Sequence, residues 1–171
     1  MSNAGALLVR FGVAKNAAAR ETPAYWRHKV LTFGRVNKYG EVALRATELL
    51  RAAAYKSARE AWQAAAREVF PAQRASQMKA CPRSAFLGLC EEGLVVEVPA
   101  GRYTTGGDNK EYAIEAVQLL VRDSSLAEAG PGSLWLRVMN GRDKVANSQM
   151  EVVLALWAHG LIDGNRLPPQ K

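Results

Sequence analysis

The chain has 171 residues, 49% of them apolar, and a formal charge of +7, which suits one domain or two small lobes sharing a core. No apolar run approaches the ~20 residues of a membrane-spanning helix, and residues 7–13 contain Arg10 and are too short for a secretory apolar core, so a cytoplasmic protein is expected. The charge is uneven: residues 1–85 hold 15 Lys/Arg and 5 Asp/Glu, a balance of +10, and residues 86–171 hold 8 and 11, a balance of −3. Such an excess points to an anionic partner for the first half, DNA or an acidic protein, with a solvated basic face as the plainer alternative.

Met1-Ser2-Asn3-Ala4 reads as a cloning remnant. The rest of residues 1–36 is rich in Ala and Arg and reads as an N-terminal arm or an appended extension, with Trp26 as its one candidate for docking. Regular structure is expected after Gly40, where Val42, Ala46, Leu49, Leu50 and Ala53 recur on one helical face. Ser57-Ala58-Arg59-Glu60 is a capping box that opens a second helix, which Pro71 ends. A polar connector follows, with a helical turn near residues 76–79. Cys81-Pro82 opens a third helix, with Phe86, Leu87 and Cys90 on its apolar face and Gly93 as a left-handed stop.

Residues 94–98 read as a strand, 99–101 as a turn and 102–104 as a returning strand, which together make a β-hairpin. Tyr112, Ala116, Leu119 and Leu120 mark a fourth helix. Gly130-Pro131-Gly132 breaks the chain ahead of a short apolar helix at 134–139. Ser148-Gln149-Met150-Glu151 is a second capping box, opening a helix with Met150, Val153, Leu154 and Trp157 on one face and Gly160 as its stop. The tail from residue 166 on is expected to fray.

The halves resemble each other. Residues 41–50 match 111–120 at an offset of 70, with five of ten positions identical, and each block follows an Asn-Lys pair. Residues 84–95 match 151–162 at an offset of 67, pairing Leu87 with Leu154, Leu89 with Leu156, Gly93 with Gly160 and Leu94 with Leu161. Ser76-Gln77-Met78 recurs as Ser148-Gln149-Met150. Ala/Leu-rich amphipathic helices share such positions by chance, but these blocks keep their order at nearly one offset. The expected fold is therefore mostly α with a short β-hairpin. It consists of two tandem three-helix repeats of helix-turn-helix or winged-helix type, over 37–105 and 106–171, packed as one compact domain over 37–165. The matched leucines should lie at equivalent core positions, with Leu87 and Leu154 both buried.

Little chemistry is visible. The two cysteines, Cys81 and Cys90, sit nine residues apart on one helix, roughly 13 Å, too far for a disulfide. His28 and His159 belong to no zinc-ligand pattern, and no phosphate loop, nucleophile elbow or metalloprotease motif occurs. No cofactor, metal or catalytic residue is called for, and a non-enzymatic role is expected. Glu91-Glu92 at a helix C-terminus would repel phosphate.

The helix, glycine stop and Gly101-Arg102-Tyr103 turn resemble the recognition helix and wing of winged-helix DNA-binding domains. That resemblance implies Arg83 and Ser84 near a groove and Arg102 on the wing. A winged-helix shape used for protein contacts, including a homodimer, is the competing reading. Residues 37–163 also resemble an uncharacterised bacterial family. They do so through the Asn-Lys-Tyr-Gly-Glu start, Cys-Pro-Arg-Ser-Ala-Phe-Leu-Gly-Leu-Cys-Glu-Glu-Gly-Leu-Val at 81–95, the Pro-Ala-Gly-Arg-Tyr-Thr turn and the Asn-Ser-Gln-Met helix start. The resemblance implies a small bacterial cytoplasmic protein, carries no activity, and leaves residues 1–36 outside the shared domain.

Overall fold

The computed structural model describes residues 36–105 and 107–168, so the expectations for the N-terminal arm and Trp26 fall outside the described residues. Six helices of 10 to 15 residues account for most of what is described. Helix α1 spans Lys38–Arg51. It begins before Gly40 because Asn37 caps it, Oδ1 accepting from the Tyr39 and Gly40 amides at 3.0 and 2.9 Å. Helix α2 spans Ala58–Val69 and is capped by Ser57, whose hydroxyl accepts from the Arg59 amide. A single turn, α3 at Arg74–Gln77, leads into α4 at Ala80–Glu91, with Pro82 in the first turn where an amide would have no intrahelical acceptor.

Helix α5 spans Asp108–Arg122 and α6 spans Gly130–Met139. Gly130-Pro131-Gly132 therefore starts a helix rather than breaking the chain, since proline suits a first turn. Helix α7 spans Gln149–Ala158. The capping box expected at Ser148 is not formed. Ser148 is left-handed, with φ +67° and no side-chain cap, while the buried Gln149 side chain turns back to accept from the Asn147 amide at 2.6 Å.

The core runs through every long helix: Val42 and Ala46, Trp62, Phe86 and Leu89, Val117 and Leu120, Leu134 and Val138, Met150 and Leu156. Helix α7 packs against α1, α4, α5 and α6, so it buries Gln149, Met150, Val152, Val153, Ala155 and Leu156, residues on more than one face. Leu87 is buried as expected, but Leu154 is only half-buried, because the stripe of Glu151, Leu154 and Ala158 is the side left toward solvent. Leu94 and Leu161 are both buried, and Leu49 and Leu119 are both half-buried.

No β-strand occurs among the described residues, and the expected hairpin is absent. The backbone of residues 94–96 pairs instead with residues far away in sequence. Val96 N donates to Leu161 O at 3.0 Å and Asp163 N donates to Leu94 O at 2.8 Å, which makes an isolated antiparallel bridge between Val95 and Ile162. The supposed return strand is taken by a carboxylate: the Tyr103 and Thr104 amides donate to Glu91 Oε2 at 2.8 and 2.9 Å. Both edges a hairpin needs are thus occupied, and residues 99–104 form a strap over the end of α4. Without hairpin or wing, the mostly helical part of the expectation stands and the winged-helix form does not.

The bridge has a local symmetry. Gly93 and Gly160 end α4 and α7 at φ +70° and +66°. Leu94 N donates to Leu89 O and Leu161 N to Leu156 O, both at 2.9 Å. The two helix stops then bond to each other through the reciprocal pair just described. The same reciprocity holds where helices cross. A Cβ on Gly40 of α1 would stand 2.9 Å from the Ala155 Cβ of α7, and a Cβ on Gly88 of α4 would stand 2.7 Å from the Lys110 Cβ of α5. Each crossing is close because a glycine sits in it, once on the helix that opens the half and once on the helix that closes it.

Candidate functional site

Among the described residues, seven of the sixteen Lys/Arg are tied to an internal partner. Arg45 pairs with Glu48 at 3.1 Å and with Glu68 at 2.7 Å, Arg51 pairs with Glu97, and Arg59 donates to Tyr103 O at 2.5 Å. Arg142 bonds Glu115 at 2.7 Å and lies over the Tyr112 ring.

Lys110 is held hardest. Its side chain is 17% exposed, and its ammonium sits 2.7 Å from Glu91 and 2.5 Å from Glu92. Burial alone would raise the Glu91 carboxyl. The Lys110 ammonium and the Thr104 and Tyr103 amides outweigh that and hold it down at about 2. The Glu91-Glu92 pair is thus tied down within the fold, joining α4, the strap and α5.

Two lysines are treated differently. The Tyr39 and Phe70 rings meet at a 42° tilt with centroids 5.0 Å apart, Lys38 Nζ lies 5.4 Å from the Phe70 ring, and Lys79 Nζ lies 5.0 Å from the Tyr39 ring. The pair is locked from behind. Tyr39 donates its hydroxyl to Ser76 O at 3.3 Å, and Gln77 Nε2 donates to Phe70 O at 2.6 Å. A ring face restrains an ammonium without consuming its donors. Neither Lys38 nor Lys79 has an ion pair among the described residues, so both keep their N–H groups for an outside anion. Burial takes the rings out of use: Phe70 is buried and Tyr39 half-buried, so they support cations rather than offer a stacking platform.

Arg83 and Ser84 lie in the first turn of α4, both half-buried. Arg102 is exposed on the strap, which is held at the opposite end of that helix through Glu91, roughly 12 Å of helix away. The body of α4 is enclosed, Ala85 through Cys90 being buried, so it has no continuous face to lay in a groove. Arg83 lies four residues after Lys79, the residue that immediately precedes α4. The sequence reading missed Lys38, Tyr39, Phe70 and Lys79 because nothing local links residues 30 to 40 positions apart.

A second polar cluster joins the starts of α4, α5 and α7. Asn147 Nδ2 donates to Cys81 Sγ at 3.2 Å, and Gln149 Nε2 donates to Asn109 Oδ1 at 2.8 Å. Its buried members satisfy each other, which makes it a structural clasp. Both cysteines are free, and burial pushes the Cys90 thiol up. No group of His, Cys, Asp and Glu able to hold a metal occurs among the described residues. No helix among them is long and apolar enough to cross a membrane.

A family model covers residues 36–163, three-quarters of the chain. The chain belongs to that family, described as a family of unknown function, DUF6979. Its limits coincide with the helical body and leave the basic N-terminal segment outside. No curated protein and no solved structure matches the chain.

Proposed function

We propose that this chain is a non-catalytic binding module, built from two copies of one three-helix unit, that holds an acidic protein segment on the lysine–aromatic face of Lys38, Tyr39, Phe70 and Lys79. One observation carries the reading: two ammoniums lie over the rings of one aromatic pair, 5.4 and 5.0 Å from the centroids, and neither is ion-paired among the described residues. The duplication is supported by the reciprocal Val96–Leu161 and Asp163–Leu94 bonds and by the Tyr39–Ser76 contact. In the other half Asn109 and Gln149 bond through their side chains, which joins the corresponding sequence blocks through a different residue pair.

Charge favours an acidic protein over DNA. Residues 36–168 hold 16 Lys/Arg and 15 Asp/Glu, and residues 1–35 hold six Lys/Arg and one Glu. A duplex binder gains its affinity from several phosphate contacts on a basic field. The helical body has no such field, since its basic and acidic residues nearly balance.

Fluorescence anisotropy with a labelled poly-glutamate 12-mer, and separately with a mixed-sequence DNA duplex, tests this on the full chain. Peptide binding at low salt that falls at least tenfold in the Lys38→Glu/Lys79→Glu variant is expected. An unchanged peptide affinity in that variant would refute the face. Binding of the duplex with none of the peptide would return the module to nucleic acid, with Arg83→Ala and Arg102→Ala as the variants to examine.

A further inference from the structure

Five asparagines fall among the described residues, and four of them have their side chains tied down. Asn37 Oδ1 caps α1, Asn109 Oδ1 accepts from Gln149, Asn147 Nδ2 donates to Cys81 and Asn165 Nδ2 donates to Asp163. Asn140 differs. It is exposed, and its side chain makes no hydrogen bond among the described residues. It ends α6 at φ +44° and precedes Gly141, whose φ is +87°. The Gly141 amide also bonds nothing among the described residues, and a Cβ there would meet nothing within 4 Å. The comparable pair Asp163-Gly164 is locked: Asp163 Oδ1 accepts from the Asn165 amide and side chain, and Oδ2 pairs with Arg166 at 3.0 Å.

We propose that Asn140-Gly141 is a self-modification site, at which the chain converts Asn140 to isoaspartate and aspartate with solvent water as the co-reactant. The Gly141 nitrogen attacks Asn140 Cγ. The N–Cγ bond forms, the Cγ–Nδ2 bond breaks, and the Gly141 amide proton leaves with Nδ2 as ammonia. Water then opens the five-membered imide. Cleavage at Cγ leaves aspartate, and cleavage at the backbone carbonyl carbon leaves isoaspartate, whose main chain runs through the side chain. Glycine suits the attack because no side chain crowds its nitrogen. Residue 140 must leave its left-handed conformation to cyclise, and a residue with a Cβ holds that conformation at a cost.

The product bears on how α5 and α6 are joined. Arg142 folds back over the end of α6: its amide and Nε donate to Met139 O at 2.8 and 3.0 Å, and its guanidinium donates to Val138 O and pairs with Glu115 of α5 at 2.7 Å. Isoaspartate lengthens the main chain between α6 and Arg142, so these bonds cannot all be kept. Aspartate preserves the spacing and the tie.

The test incubates the full chain at pH 8.5 and 37 °C, native and in 6 M guanidinium chloride, then digests it and separates isoaspartate peptides for mass spectrometry. In the native chain Asn140 should convert at least tenfold faster than Asn37, Asn109, Asn147 and Asn165, and within threefold of its rate in the unfolded chain. Asp163 should isomerise at least tenfold slower native than unfolded. A native Asn140 that stays intact while the unfolded chain converts would overturn the site, as would a native Asp163 that reacts as fast as Asn140. The purified isoaspartate form should melt below the Asn140→Asp variant. Equal melting temperatures would overturn the release of the Arg142 tie.

Discussion

Glu91→Gln probes the point where α4, the strap and α5 are tied together. Glu91 is 18% exposed at its side chain, accepts from two backbone amides and faces the Lys110 ammonium at 2.7 Å. Its carboxyl is held down at about 2, from an ordinary 4.5. The depressed carboxyl contributes stability that is fully present above pH 4.5 and lost as pH falls toward 2. At ~1.4 kcal/mol for each pH unit, the displacement corresponds to about 3 kcal/mol near neutrality. Glutamine keeps the shape and an acceptor oxygen but removes the charge. Urea unfolding followed by tryptophan fluorescence should show a loss of about 2–4 kcal/mol at pH 7. The gap between parent and variant should shrink steadily below pH 4.5. A gap that does not change between pH 7 and pH 3, or a loss under about 1 kcal/mol, would show that the ion pair does not hold the strap.

Two further outcomes test packing. Leu87→Ala should cost about 2–5 kcal/mol, while Leu154→Ala, at a half-buried position, should cost distinctly less in the same denaturation assay. Gly88→Ala places a methyl 2.9 Å from Lys110 Cα, a backbone atom that cannot swing aside, and should cost about 1–3 kcal/mol by forcing α4 from α5. A neutral Gly88→Ala would mean that the crossing is looser than its geometry indicates.

What the sequence made legible was local. The helices α1, α2 and α5 and the glycine stops at 93 and 160 depend on neighbours within a turn or two, and those assignments hold, whereas the single apolar face read for α7 does not, because that helix is covered on more than one side. The hairpin failed because residues 94–96 find their partners at 161–163, a competition that strand periodicity cannot register. The capping box at Ser148 failed because the Gln149 side chain reaches back to Asn147 and onward to Asn109. The lysine–aromatic face was invisible for the same reason: Tyr39 and Phe70 become neighbours only after α1 and α2 pack.

The way the two halves meet bears on how the molecule can be divided. Helix α4 closes the first half yet lies along α5, and α7 closes the second yet packs across α1. Residues 36–105 alone would uncover the sides of α4 now covered by α5 and α7. Residues 107–168 alone would likewise uncover the side of α7 that now meets α1. Each stop glycine hands its next residues to the other half, so the bridge between Val95 and Ile162 exists only when both are present. Exchange of closing helices makes each half complete the other, which favours folding as one cooperative unit.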